Sequence, residues 1–316
     1  MFEIVFLGTA AAVPSADRGL SAILVGRGPE RFLVDCGEGT QRQLLRAGLG
    51  FRGLGTVLLT HAHLDHLGGL MGLVATRALF GLEKPIEIVG SAETVEFVRR
   101  YLAVTVGPEG ADAGYRLRPV APGPVLARRG WRVEAFRVAH RGTESLGFVF
   151  AEAPAPSLSA ERLAALGVPP GPLRKSLAHG EAVLLSGGLR VTPEMAAGPQ
   201  KPGARLAIVG DTEEAASLGP HVAGADALVI EATFLERDSA LARARGHLTA
   251  AEAAGLARAA GVGELLLTHI SGRYAPNEIA AEAAAIFPAV RVVADFDRAT
   301  IGGRGGTRRG IASPLR

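Results

Sequence analysis

A chain of 316 residues is long enough for one large domain or two ordinary ones, and 48% apolar against 21% charged residues excludes disorder for its bulk. The net charge is only +3, and with Lys84, Lys175 and Lys201 the only lysines the basic residues are almost all arginine, which suits phosphate recognition but decides little alone. No apolar run approaches the roughly 20 residues of a membrane span, and no basic segment precedes the short apolar run at the N-terminus, so the expectation is a cytoplasmic protein.

Apolar or β-branched runs bounded by Gly, Asp or His predict strands, in chain order, at 2–8, 21–26, 31–37, 56–61, 86–90, 131–140, 146–152, 205–211, 227–233, 264–269 and 290–296. Helical spacing falls between them at 40–48, 67–81, 91–103, 249–261 and 276–287. Strands early, then strands alternating with helices, predict an α/β layered domain of two sheets with helices outside. One region departs from this pattern. From about Glu152 to Pro202 the chain is rich in Pro and Gly and holds one short helical segment, which on composition alone reads as a solvated insertion or linker. The catalytic candidate is therefore residues 1–151 with 203–302. Residues 303–316, basic and without periodicity, read as a frayed tail.

The single cysteine, Cys36, excludes an intramolecular disulfide and any thiolate cluster, so a metal here needs nitrogen and oxygen ligands. Cys36 itself reads as a small buried hydrophobe. "VLLTHAHLDHLGGL", residues 57–70, gathers three histidines and an aspartate behind an apolar run. His61, His140, Asp211 and His269 each fall just past a predicted strand, and strand C-terminal ends are where side chains of an α/β sheet converge. His61 and His63 face the same way in an extended segment, and Asp65 and His66 then start the helix that follows. Any one of His140, His247 or His269 alone reads as a structural histidine, and a lone Asp after a strand as a helix cap. Together His61, His63, Asp65, His66, His140, Asp211 and His269 make seven candidate ligands. One zinc takes about four, so seven predict two ions roughly 3.5 to 4 Å apart with a shared carboxylate, Asp211. His179 and His221 read as surface histidines.

"THAHLDH" matches the HxHxDH signature of the metallo-β-lactamase superfamily. Over nearly its whole length the chain resembles the ribonuclease Z family, the tRNA 3′ processing endonucleases, through "FLGTAAAVPS", "FLVDCGEGTQRQL", "AHRGTESLGFVF", "VPPGPLRKSLAHGEAV", "IVGDT", "IEATF", "GHLTAAEAA" and "LTHISGRY". The resemblance implies an αββα sandwich and makes 152–202 a flexible arm that grips precursor tRNA, with Arg174 and Lys175 near its tip to neutralise phosphates. It makes His247 in "RGHLTA" the proton donor, held by Glu231, and gives Arg273 in "SGRY" a phosphate to hold. It also implies a homodimer in which one subunit's arm serves the other's site. Two departures concern Leu64 and Ala10, where the family usually or often has Gly; they touch the helix start and the groove wall, and leave the ligands intact.

Two Zn²⁺ per chain, or Mn²⁺ or another divalent ion, would lower the pKa of water towards ~7 and leave the site net positive for a phosphodiester. Asp65 would hold or accept the proton of the attacking water, and His247 would protonate the leaving oxygen, giving a tRNA 3′-hydroxyl and a trailer 5′-phosphate. The alternatives are a small-molecule hydrolase of the same superfamily, such as a cyclic-nucleotide phosphodiesterase, arylsulfatase or lactonase, and a non-catalytic RNA-binding module.

Overall fold

The buried apolar run Phe2–Gly8 (β1) pairs antiparallel with Ala22–Arg27 (β2), which pairs with Glu30–Val34 (β3). Helix α1 (Thr40–Arg46) leads to β4 (Leu54–Leu58), now parallel to β3. Next come α2 (Leu64–Leu67), α3 (Leu70–Leu79), β5 (Ile86–Gly90), α4 (Ala92–Ala103) and β6 (Tyr115–Pro119), so that β3 to β6 run parallel. A second sheet begins with β7 (Gly123–Arg128), β8 (Trp131–Val138) and β9 (Ser145–Glu152). The insertion holds β10 (Ala155–Leu158), α5 (Ala160–Ala165), α6 (Pro172–Ala178), β11 (Val183–Leu184), β12 (Arg190–Val191) and β13 (Ala197–Lys201). The second sheet resumes with β14 (Arg205–Ile208), α7 (Gly219–Val222), β15 (Ala227–Glu231), α8 (Ser239–Arg245), α9 (Ala250–Ala259), β16 (Glu264–Thr268), α10 (Pro276–Ala284) and β17 (Val290–Val292). Finally β18 (Arg298–Ile301) and β19 (Arg308–Gly310) return to the first sheet beside β1.

This computed structural model describes residues 1–82, 84–109, 114–302 and 308–310. The chain forms two units, Met1–Ala151 with Ala204–Arg316, and Glu152–Gly203. In the larger unit the strand orders are β19-β18-β1-β2-β3-β4-β5-β6 and β17-β16-β15-β14-β9-β8-β7. One apolar layer, including Phe6, Val34, Leu58, Phe148, Ile208 and Val229, joins residues of both sheets. A second packs α1, α3 and α4 on the outer face of the first sheet, and a third packs α7 to α10 on the second. The result is the αββα layering the sequence predicts. Strands buried on both faces read as continuous apolar runs rather than as alternation. Between the sheets Phe2, Phe32, Trp131 and Phe150 meet edge to face at 5.5 to 5.9 Å, each pair adding about 0.5–1.5 kcal/mol beyond area burial.

Four differences from the sequence reading have physical causes. The arginine-bearing β6 and the exposed β7 lie at sheet edges, where only part of each strand is buried and the apolar signal is weak. The helix expected to run on from Asp65 is two helices, because Gly69 passes against the Gly37 carbonyl with no room for a side chain and its N–H bonds the Cys36 carbonyl at 2.8 Å. The insertion is folded, with two helices and two two-stranded antiparallel sheets around Leu163, Val168, Leu177, Val183, Val191 and Ala196. In the stretch expected to fray, Arg308–Gly310 pairs with β18, which offers unpaired backbone groups beside β1; the rest of 303–316 lies outside the described residues.

Candidate metal centre

Strand ends from both sheets supply the site. Asp35 follows β3, His61 follows β4, His140 follows β8, Asp211 follows β14, Glu231 closes β15 and His269 follows β16. Asp35 and His269 turn off their strands with φ of 59° and 55°, left-handed values that cost a non-glycine residue energy and that the surrounding hydrogen bonds hold in place.

Four imidazoles have their outer nitrogen engaged. His66 Nδ1 bonds Asp35 Oδ2 at 2.8 Å, and His140 Nδ1 bonds the Gly246 carbonyl at 2.9 Å. The Thr60 hydroxyl donates to Asp35 and so accepts from His61 Nδ1 at 3.0 Å. Likewise the Thr233 hydroxyl donates to Glu231 and accepts from His269 Nδ1 at 2.9 Å. Each outer partner accepts, so each Nδ1 carries a proton and each Nε2 is turned to the centre, where it can offer a lone pair to an ion. His63 instead turns Nδ1 inward, 2.8 Å from His61 Nε2 and 3.3 Å from His140 Nε2.

The inward atoms fall into two donor sets that share one carboxylate. His61, His63, His140 and Asp211 form one, Asp65, His66, Asp211 and His269 the other, with the donor atoms of each within 4.8 Å of one another. Asp211 Oδ1 lies 3.3 Å from both His66 Nε2 and His269 Nε2, while Oδ2 faces His61 Nε2 at 3.8 Å and His140 Nε2 at 3.9 Å. Asp65 Oδ2 is 3.4 Å from His269 Nε2 and accepts the Ala12 N–H at 3.1 Å. His66 Nε2 and Asp211 Oδ1 are buried without a hydrogen-bond partner, an arrangement that costs free energy unless something fills the space between them. Nitrogen and carboxylate donors in two four-membered sets fit two divalent ions.

The charges agree. Burial opposes ionisation of Asp211, yet His269, His66 and His61 outweigh it and hold the carboxyl well below its usual range. Burial raises Asp65 too, but the hydrogen bond from His269 and the nearby His66 prevail, and it stays ionised. Burial pushes His61, His63 and His140 down, towards the neutral form a ligand needs. Burial likewise disfavours a charge on His66, but Asp211 and Asp35 outweigh it and lift His66 well above the usual value, the pull of two carboxylates on a buried cation.

His247 stands beside the two sets with Nδ1 on Glu231 at 2.9 and 3.1 Å. Burial lowers its pKa, but Glu231 and Asp211 raise it to about 9, so it is protonated at neutral pH. Glu231 is fixed in turn by the Thr212 N–H and the Thr233 hydroxyl. Arg273 is exposed on the loop after His269, lining a groove of about 650 Å³ with Ala12, Ser15, Ile270 and Tyr274. Leu64 is exposed and Ala10 is buried, bridging Leu20 and Ile270. In the insertion, Lys175 is exposed, whereas Arg174 is half-buried with Nε and Nη2 on the Val168 carbonyl. His179 and His221 are exposed. Sequence reasoning assigned no role to Asp35, Thr60, Thr233 or the Ala12 N–H. Asp35 carried a usable signal, since it too is the first polar residue after an apolar run, Phe32–Val34.

A family model described as anti-Pycsar protein Apyc1 matches residues 2–158, and one described as a β-lactamase superfamily domain matches 178–270. The chain is 53% identical over 301 residues to a ribonuclease Z of Bradyrhizobium sp. (strain ORS 278), covering 95% of this chain and 100% of that protein. The chain belongs to the ribonuclease Z family. A second member, from Bradyrhizobium diazoefficiens, is 50% identical with the same coverage. Among solved structures, human tRNase Z, short form, superposes with a TM-score of 0.64 at 26% identity, covering 95% of this chain and 99% of that one. The fold is thus that of the metallo-β-lactamases, and the chain is an endoribonuclease, a hydrolase of phosphodiester bonds. No helix among the described residues is long and apolar enough to cross a membrane.

Proposed function

We propose that this chain removes the 3′ trailer from precursor tRNA with two divalent ions, zinc in first place, held by His61, His63 and His140 on one side, Asp65, His66 and His269 on the other, and Asp211 between them. The observation that carries the reading is the pair of four-membered donor sets sharing Asp211 beside a histidine, His247, that belongs to neither and is tied to Glu231. When bound, such ions acidify a water molecule and offer positive charge to phosphate oxygens.

The side chains do the rest. Asp65, ionised and pinned by the Ala12 N–H, orients the attacking water by accepting its hydrogen bond. His247, with Nδ1 on Glu231, keeps its other nitrogen and a proton for the departing 3′ oxygen. Arg273, on the groove beside Ala12, holds the phosphate by its planar fork. Water as nucleophile leaves a tRNA 3′-hydroxyl and a trailer 5′-phosphate. The folded insertion grips tRNA, with Lys175 free to meet backbone phosphate and Arg174 bracing the tip through Val168. The working form is a cytoplasmic homodimer whose subunits lend each other this arm. A small-molecule phosphodiesterase would use the same centre but gain nothing from the insertion. Cleavage of a 3′-extended tRNA beside a bare phosphodiester dye, with product ends mapped, decides between them: dye hydrolysis without tRNA cleavage would overturn the proposal.

A further inference from the structure

A second basic site lies at the opposite ends of the parallel strands. The N-terminal ends of β3 and β4, with residues just after α3, enclose a cavity of about 550 Å³. From Leu54 to His61 at ~3.3 Å per residue, it stands roughly 20 Å from the metal centre.

Among the described residues four cations line it, Arg31, Arg52, Arg77 and Lys84, against one carboxylate, Glu30, which is engaged by Arg128 at 3.0 Å. Arg77 is only 5% exposed. Its Nη1 and Nη2 donate to the carbonyls of Leu54 and Lys84 at 2.8 and 3.0 Å, its Nε is buried without a partner, and it has no carboxylate partner among the described residues. A buried cation held only by carbonyls is expensive and calls for an anion. Arg52 and Lys84 are exposed and enter no ion pair among the described residues. An aromatic surface adjoins the charge: Phe51 lines the cavity, and Phe80, 64% exposed, lies 5.6 Å from it. Phosphate-binding groups beside an exposed ring match the two halves of a nucleotide, and the volume falls in the range of small-ligand pockets.

We propose that this cavity binds a nucleotide phosphate with its base on Phe80, remote from the metal centre. The nucleotide is either free or one unit of an RNA strand. Titration of the metal-loaded enzyme with adenosine monophosphate (AMP) and with inorganic phosphate, alongside dye hydrolysis, tests this. AMP should bind without competing with the dye, and R52E/K84E should weaken it at least ~10-fold, since charge-assisted bonds are the strong ones, with dye hydrolysis unchanged. Phe80→Ala should weaken AMP but not inorganic phosphate. A KM for precursor tRNA that rises in R52E/K84E assigns the site to RNA, and an unchanged KM with lost AMP binding assigns it to free nucleotide. AMP binding that competes with the dye, or that survives R52E/K84E, would overturn the proposal.

Discussion

The catalytic unit and the insertion hold themselves together by different means, and the difference decides which can carry chemistry. The catalytic unit stacks three apolar layers around two sheets and in their shelter keeps His61, His66, His140, Asp211, Glu231 and His269 buried. The insertion rests on Leu163, Val168, Leu177, Val183, Val191, Ala196 and a few half-buried neighbours. A core that small stabilises a shape but cannot meet the cost of several buried ionisable groups. Groups that must be preorganised therefore sit at the strand ends of the large unit, while the insertion offers a surface.

The comparison breaks first if the ligands are dispensable. His61→Ala and Asp211→Ala should each reduce metal content below two ions per chain and lower cleavage of tRNA and dye alike by more than roughly 10³-fold, beyond the loss of one electrostatic contact. Metal analysis and both assays check this, and full occupancy in both variants would remove the assignment. His247→Ala should keep its metals and lose ~10²- to 10⁴-fold in precursor cleavage; normal cutting would place the acid elsewhere. Asp35→Ala sharpens the contrast, because Asp35 holds His66 and, through Thr60, His61. Outer partners of metal ligands typically cost ~10- to 100-fold in affinity, so a chelator competition should show that loss.

On the other side, replacing 152–203 with a short Gly/Ser loop should raise the precursor KM by about tenfold or more through lost phosphate contacts, with dye hydrolysis near its original rate. Equal losses on both substrates would mean that the insertion supports the catalytic fold. The smallest effect is the most local. Leu163→Ala should cost the insertion about 2–5 kcal/mol, enough to expose it to protease while dye turnover persists.

Much of the site was legible before any fold was known, because strand ends announce themselves as polar residues closing apolar runs, and His61, His140, Asp211 and His269 all do so. Two sheets with outer helices followed from the same runs. The sequence alone determined the types of the candidate donors, their number and, through Asp211 as a shared carboxylate, the expectation of two ions. Only the tertiary structure decided which nitrogen each histidine turns inward, since that depends on Asp35, Thr60, Thr233 and the Gly246 carbonyl, groups up to 106 residues distant along the chain. It also broke the helix after His66 at Gly69, where the backbone of Gly37 leaves no space, and gave the Pro/Gly-rich insertion a core. Local pattern records which face of an element is apolar; hydrogen bonds and close approaches between distant elements exist only once the layers have packed.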